Sequence, residues 1–370
     1  MEPAKSPERL TNTHAALRRA WHPVARSGEV GEAPVRVELL GRPYVVFRSA
    51  RSELVAFDDR CPHRLAPLSL GVREDDVLRC AYHGWCFDSS GRCVEIPALG
   101  AGAVLPPSAR LSAPAGVTES LGMVFIAPET PVVGLPSIPE ADLDGFDALE
   151  LPPTRARAGA GLMADNFLDF AHFPFVHAGT FGTDESRTLD PYTVERDGWG
   201  FQVVYEHPFA NREDPGVAAG IRPLVQTRRM TYRFLAPFFL ALRLEFLEAK
   251  GISVIGFFIQ PEREERCRLY TALWRNDLGA DTAARESAVA FEQQVLDEDL
   301  SIQSRYDDLS LPLDLRVEVH TRADRNTMEL RRVLAAFVAE SERRAETVGE
   351  GRPAAATPEE SAEPQVPVRN

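Results

Sequence analysis

The sequence predicts an α+β chain of two domains, and three observations carry that prediction. Short alternating runs broken by turn residues fill the stretch after Val35. A Pro- and Gly-rich segment near residue 130 then changes the texture. Beyond it, longer strand-like runs between residues 190 and 275 give way to two helical patterns. A length of 370 residues is enough for two domains of ordinary size. Hydrophobic content of 44% and charged content of 26% match a globular protein. No apolar run approaches the roughly 20 residues that span a bilayer. The opening "MEPAKSPERLTNTHAALRRAW" lacks the apolar core of a secretory signal, so the expected location is the cytoplasm. A net charge of −14 argues against nucleic acid, whose phosphates would be repelled, but not against a protein partner with a basic docking face.

Taken in order, "VRVELL", "RPYVVFRS" and "ELVAFDD" read as strands separated by Gly, Arg-Ser and Asp-Asp turns. Further short strands end at "GMVFIAPE", and "TPVVGLPSIPEADLDG" marks a boundary. The expected division is an N-terminal segment 1–17, a first domain 18–130, a second domain 131–348 and a disordered tail 349–370, whose composition cannot bury a core. "GAGLMADNFLDFAHF" looks helical until Pro174 stops it, because proline lacks the amide hydrogen and disfavours helix in the residue before it. "FQVVYEH", "RMTYRFL", "FFLALRLEFL", "ISVIGFFIQ" and "CRLYTALW" read as strands of an open sheet. Helical patterns follow from about Asp281 to Tyr306 and from about Ala323 to Glu342.

The five cysteines, Cys61, Cys80, Cys86, Cys93 and Cys267, are too few and odd in number for a disulfide frame, so metal ligands plus spare thiols are expected. Cys61-x-His63 and Cys80-x-x-His83 offer four ligands in two tight loops with 16 residues between them. Zinc takes two cysteines with two histidines readily, but its motifs usually pair Cys with Cys and His with His. One Cys and one His per loop suits a Rieske [2Fe–2S] cluster, in which two cysteines hold one iron and two histidines the other. Gly84 directly after His83 lets backbone come close, and Pro62 tightens the first loop. With "CPHR" and "YHGWCFD" in their usual order, the stretch closely resembles the Rieske motif of ring-hydroxylating and demethylating oxygenases. Respiratory Rieske proteins carry one further cysteine in each loop. Arg64–Leu65 and Ala81–Tyr82 leave none here, and Cys86 and Cys93 read as small buried residues. Ala81 stands where members of the family often have proline.

A second constellation lies in "DNFLDFAHFPFVH". Asn166, Asp169 and His172 recur at i, i+3 and i+6, roughly along one helix flank, and a break at Pro174 lets His177 turn back toward His172. Two imidazoles and one carboxylate form the facial triad that binds Fe(II) and leaves positions open. The segment resembles the N-x-x-D-x-x-H-x4-H signature of Rieske non-heme iron oxygenases at every defined position. That resemblance implies that His172 and His177 ligate mononuclear iron and that Asn166 lies near it. It implies that Asp169 accepts a hydrogen bond from a cluster histidine, His83 of a neighbouring subunit. The third ligand then comes from the Asp297–Glu298–Asp299 run. Aligned with the family, Asp299 is the ligand and Asp297 the alternative. "HTRADRNTMELRRVL" resembles the family's C-terminal helix, where its Arg and Asp would be packing or interface charges.

The resemblance runs from "WHPVA" near Trp21 to about Val338. It implies a Rieske domain of small antiparallel sheets and a helix-grip catalytic domain, an antiparallel sheet around long helices. The length fits the group of vanillate and dicamba demethylases and steroid-ring hydroxylases, which tend to be homotrimers. The expected activity is that of a terminal oxygenase. With O2 and electrons from a ferredoxin or NAD(P)H-fed flavin reductase, it would hydroxylate or O- or N-demethylate a small hydrophobic substrate. The alternatives are the alpha subunit of a ring-dihydroxylating dioxygenase and an electron-transfer Rieske protein with a ligand-binding domain.

Overall fold

The computed structural model describes residues 8–279 and 281–350. Most of the expected N-terminal segment is therefore in view, whereas the expected tail lies outside the described residues except for 349 and 350, which continue the last helix.

The first domain is assembled from three small antiparallel sheets. Val35–Leu39, Arg42–Arg48 and Leu54–Asp58 form one, as their alternation predicts. Met123–Ala127 lies between Gly116–Ser120 and His22–Arg26 in the second. The third contains Val72–Glu74, Val77–Arg79, Cys86–Asp88 and Cys93–Glu95. Its strands have three residues each, too short for a period of two to register in the sequence. A separate apolar cluster that includes Phe57, Leu68, Leu78 and Phe87 packs beneath the Cys61 and Cys80 loops.

The second domain is organised by an eight-stranded antiparallel sheet. Its order is Asp147–Glu150, Arg266–Arg275, Gly251–Arg263, Phe239–Phe246, Val225–Leu235, Gly200–Ala210, Val194–Asp197, with Thr154–Ala156 also pairing to Arg266–Arg275. All five predicted long strands are present. Along Val225–Leu235 the even-numbered positions from Gln226 to Phe234 are buried, so this register turns one face to the core. The helices pack against the sheet. Ala160–Leu168 contacts Phe239–Phe246 and Gly251–Arg263, Arg325–Glu350 contacts Val194–Asp197 and Gly200–Ala210, and Thr282–Gln303 contacts Asp147–Glu150. This is the helix-grip arrangement that the resemblance implies.

The Pro- and Gly-rich segment near residue 130 is packed rather than hinge-like. The Glu129 and Val132 amides donate to the Arg18 and Arg19 carbonyls, each at 2.8 Å, and Ile138 is buried with Phe258 and Trp274. Across the same junction the Leu40 and Gly41 amides donate to the Pro261 and Glu262 carbonyls. One apolar cluster runs through both domains, from Leu17, Val24 and Tyr44 to Phe201, Tyr232 and Phe337.

Candidate active site

The two Cys-His loops share one backbone design. The Cys61 amide donates to the Ala66 carbonyl and the Leu65 amide to the Cys61 carbonyl. The Cys80 amide donates to the Trp85 carbonyl and the Gly84 amide to the Cys80 carbonyl. In each loop the fourth residue after the cysteine is left-handed, Leu65 at φ 62° and Gly84 at φ 69°. Glycine suits position 84 by conformation, although Leu65 adopts the same one, and Pro97 Cγ would lie a tight 3.2 Å from an added Cβ. Both thiols are buried and free, whereas His63 is half-buried and His83 exposed. The His63 ring stacks on Trp85 at 4.5 Å and lies 4.5 Å from the His83 ring. His63 Nδ1 is buried without a hydrogen-bond partner. Two thiols, an imidazole nitrogen left free and a second imidazole at the surface match the donor set of a cluster. The four residues do not form a single-ion group among the described residues, unlike the second set described next. That fits two irons better than one zinc.

The second set begins on Ala160–Leu168, whose ends are held from afar. At the start, the Ala160 amide donates to Asn12 Oδ1 at 2.7 Å. At the end, the Asn326 side chain donates to the Leu168 carbonyl. Between them, Arg331 pairs with Asp165 at 2.5 Å. The helix stops at Leu168, and Asp169 leaves it with ψ 137°. The single helix flank expected through His172 is therefore interrupted. Pro174 does not end a helix but sits in the first turn of a second, Phe173–Val176, where a missing amide hydrogen costs nothing. His172 precedes this turn and His177 closes it. The chain then folds tightly, with the Gly182 amide donating to the His177 carbonyl at 2.7 Å. A Cβ at Gly182 would meet the Phe173 carbonyl oxygen at 2.4 Å, so only glycine fits.

The result brings His172 Nε2 to 3.1 Å from His177 Nε2, with Asp299 Oδ1 at 3.4 and 3.3 Å from the two. These three form a group that could hold one metal ion. Asn166 is adjacent, its Nδ2 3.1 Å from Asp299 Oδ1 and 3.4 Å from His172 Nε2. Asp297 is exposed on another side of the same helix and accepts from Gln293. Asp169 Oδ2 lies 3.1 Å from His172 Nδ1, and its Oδ1 accepts from the Ala171 amide. Glu298 was missed by sequence reasoning as a functional side chain. Its Oε2 lies 2.8 Å from His177 Nδ1 and accepts from Thr180 Oγ1 at 2.9 Å. Each histidine thus has one ring nitrogen on a carboxylate and the other facing the shared centre, which fixes tautomer and ring orientation. Burial pushes the His172 pKa down, but Asp169 and Asp299 outweigh it and raise it to about 9. The Asp299 carboxyl is shifted the other way. Burial pushes it up, and its contacts with His172 and His177 bring it below the ordinary aspartate value.

This centre forms the wall between two spaces. On one side, an apolar cavity is lined by Phe167, Leu242, Phe257, Phe291 and Leu296 among others. On the other, His172, Asn166 and Asp299 border a polar groove with Asp165, Asp169, Glu318 and Arg331.

Comparison with known proteins accounts for both halves. Residues 20–111 match the model of the Rieske [2Fe-2S] domain, and residues 156–340, half of the chain, match the vanillate O-demethylase oxygenase C-terminal domain. The chain belongs to the Rieske non-heme iron oxygenases. It is similar to methylxanthine N3-demethylase NdmB of Pseudomonas putida, 28% identical over 85% of this chain and 88% of that one. It is also similar to the toluene-4-sulfonate monooxygenase iron-sulfur subunit TsaM1 of Comamonas testosteroni, 35% identical over 50% of this chain and 53% of that one. Its fold superposes on Pseudomonas putida NdmA solved with caffeine, with a TM-score of 0.78 and 25% identity over 90% of this chain and 94% of that one. As a Rieske oxygenase the chain is an enzyme, the terminal component of its system. It carries a [2Fe–2S] cluster and a mononuclear iron, draws electrons from a reductase or ferredoxin, and uses O2 on a small substrate. Among the described residues, no helix is long and apolar enough to cross a membrane.

Proposed function

We propose that Cys61, His63, Cys80 and His83 hold the cluster, that His172, His177 and Asp299 hold the mononuclear iron, and that the chain demethylates or hydroxylates a small cyclic substrate in the apolar cavity. The observation that carries this reading is the position of the His172–His177–Asp299 centre at the wall of that cavity. The names of NdmA and NdmB favour removal of a methyl group from nitrogen, and the matched C-terminal family favours removal from oxygen.

When bound, the iron supplies O2 activation, so that substrate methyl, O2, two electrons and two protons become demethylated substrate, formaldehyde and water. The chain's own groups perform the rest. Phe167 and Phe257, stacked at 5.1 Å, form a flat apolar wall for a ring and exclude water. Asn166 holds Asp299, while Asp169 and Glu298 hold the two imidazoles. Asp169 also presents an exposed edge to the polar groove. There, His83 of a neighbouring copy, exposed on its own chain, would dock as a second donor to the carboxylate. That arrangement makes the working form an oligomer with a site shared between copies, and we assign a homotrimer in the cytoplasm.

Metal analysis and product analysis test the reading together. Wild-type protein should contain three irons and two acid-labile sulfides per chain. His172→Ala and His177→Ala should each retain two irons and the visible spectrum of the cluster. Incubation with reductase, O2 and a panel of N-methyl heterocycles and methoxyaromatics should release formaldehyde in step with demethylated product. A chain holding one zinc and no sulfide would refute the cluster assignment. Full mononuclear iron in both histidine variants would refute the triad.

A further inference from the structure

The helix Thr282–Gln303 presents Glu292, Val295, Leu296 and Asp299 to the apolar cavity. Glu292 lies two turns before Asp299 on the same face, roughly 10 Å away along the helix. Among the described residues it is the only carboxylate lining the cavity besides Asp299, and it has no hydrogen-bond or ion-pair partner. Behind it lies a second, polar pocket, which Glu292 and Arg228 also line together with Asn211, Glu213, Ser253 and Arg275. Glu292 thus stands in the partition between cavity and pocket. The pocket reaches the surface at Arg212, which is exposed, and at Glu213, whose side chain is 21% exposed. Glu213 accepts from Arg275 Nη1 at 3.2 Å. On the pocket walls, Ser253 Oγ and Arg228 Nε are buried without hydrogen-bond partners. Orphaned polar atoms around a polar pocket are the setting in which proteins hold ordered water.

Demethylation consumes two protons on the dry side of the iron centre, where apolar walls supply none. On the groove side the nearest carboxylate, Asp169, is committed to the His172 ring and the Ala171 amide. We propose that Glu292 and Glu213 form a proton relay, joined by water in the polar pocket, that feeds the substrate cavity from the surface. The Glu292 carboxyl releases its O–H proton to a water or a substrate heteroatom on the cavity side and becomes a carboxylate. Pocket water takes a proton from the Glu213 carboxyl and returns one to Glu292, and solvent recharges Glu213. Only O–H bonds break and form, no electrons move, and two passes serve one turnover. The surrounding charges suit this role. Glu292 faces Glu213 from the loop after Gly200–Ala210, Arg228 and Tyr232 from Val225–Leu235, and Arg275 from Arg266–Arg275. Burial and Glu213 raise its pKa to about 7 against the two arginines, so both protonation states are populated at neutral pH. Burial also raises Glu213, although Arg275 opposes it. The relay rests on the proposed assignment of the cavity as the substrate site.

Infrared spectroscopy of the oxidised, metal-loaded enzyme tests the relay without substrate. A protonated-carboxyl band should titrate with a midpoint near pH 7 and be missing in Glu292→Gln. On mixing with D2O, Glu213→Gln and Ser253→Leu, which fills the pocket, should each slow the isotope shift of that band tenfold or more. Single-turnover product gives the second readout, from caffeine or p-methoxybenzoate, whichever the enzyme demethylates. In wild type it should fall as pH rises through about 7. In Glu292→Gln it should be reduced tenfold or more and lose that pH limb, with iron content and melting temperature at wild-type values. Added formate should restore product to Glu292→Ala, as lost packing alone would not allow. A carboxyl band unchanged in Glu292→Gln, or full-speed exchange in both pocket variants, overturns the proposal. So does a Glu292→Gln that keeps the wild-type rate and pH profile. If Ser253→Leu does not fold, Glu213→Gln decides the exchange test alone. Formaldehyde from neither probe would count against the proposed function, and the infrared test would still decide the relay.

Discussion

Removing Glu298 should loosen the iron without disturbing the fold. Its Oε2 lies 2.8 Å from His177 Nδ1, and His177 is 1% exposed, so the contact is shielded from solvent on the histidine side. A hydrogen bond to a charged group contributes about 1.5–3 kcal/mol. At about 1.4 kcal/mol per tenfold, its loss in Glu298→Ala weakens Fe(II) binding by roughly 10- to 150-fold. That range overlaps the roughly 10- to 100-fold cost usual for residues that orient metal-bound histidines. Glu298→Gln keeps an acceptor at the same place and removes only the charge, so its loss should be nearer the lower limit. Competition against a calibrated chelator under anaerobic conditions reads the affinity, with cluster absorbance as an internal control. Glu298 is partly exposed and lies outside the large apolar clusters, so melting temperature should change little. Fe(II) affinity within twofold of wild type in Glu298→Ala would refute the reasoning. Glu298 would then be a surface carboxylate that happens to meet an imidazole.

Asp169→Asn should leave both metal centres loaded and the cluster reducible at the normal rate, yet reduce product in a single turnover by more than tenfold; unchanged product would remove the bridging role. Asp299→Ala should lose about one iron per chain while Asp297→Ala, whose carboxylate faces solvent and Gln293, keeps it, and the reverse would move the third ligand to Asp297. Arg331→Met strands the Asp165 carboxylate, while Glu318 is exposed and loses little, and denaturant unfolding should show a loss of about 3–5 kcal/mol; a loss under 1 kcal/mol would place the Arg331–Asp165 pair among surface bridges. Burial lowers the pKa of His22 to about 4 and of His207 to about 3, below the ordinary value of 6.5. The unfolded chain then takes up these protons first, so their contribution is present above pH 6.5 and is lost as pH falls toward 4 and 3. His207→Phe should flatten the stability curve over that window, and an unchanged slope would show that His207 titrates normally.

The parts of this protein visible in the sequence are those whose function depends on near neighbours in the chain. Cys61 with His63, Cys80 with His83, and His172 with His177 stand in pairs because each pair shares a tight loop. The long strands were visible because each runs for eight residues or more with a steady burial pattern. Contacts between distant segments were not visible. Asn12 capping Ala160, Asn326 closing Leu168 and Glu298 holding His177 join residues more than 100 positions apart, and nothing local marks them. The break after Leu168 was hidden for another reason. Apolar periodicity continues through Phe170 and Phe173, both buried, so the sequence reads as one helix although the backbone turns at Asp169. Pro174 was informative, but as the start of the second helix.

That turn determines how the site divides its work. On a continuous helix, Asn166, Asp169 and His172 would share a flank and face one space. With the backbone extended at Asp169, its carboxylate faces the polar groove while Asn166 and His172 border both groove and cavity. The centre consequently has a wet side, where a partner carrying an electron can dock, and a dry side, where a ring can lie against Phe167 and Phe257. Substitutions should separate accordingly. Asp169 on the groove side governs delivery and leaves substrate affinity alone. Phe257 on the cavity side governs affinity and leaves iron content alone. Glu298, behind His177 and bordering neither space, governs iron content first. If any of the three changed all of these properties together with native stability, the two sides would not be independent. The wall between them would then be a single coupled unit.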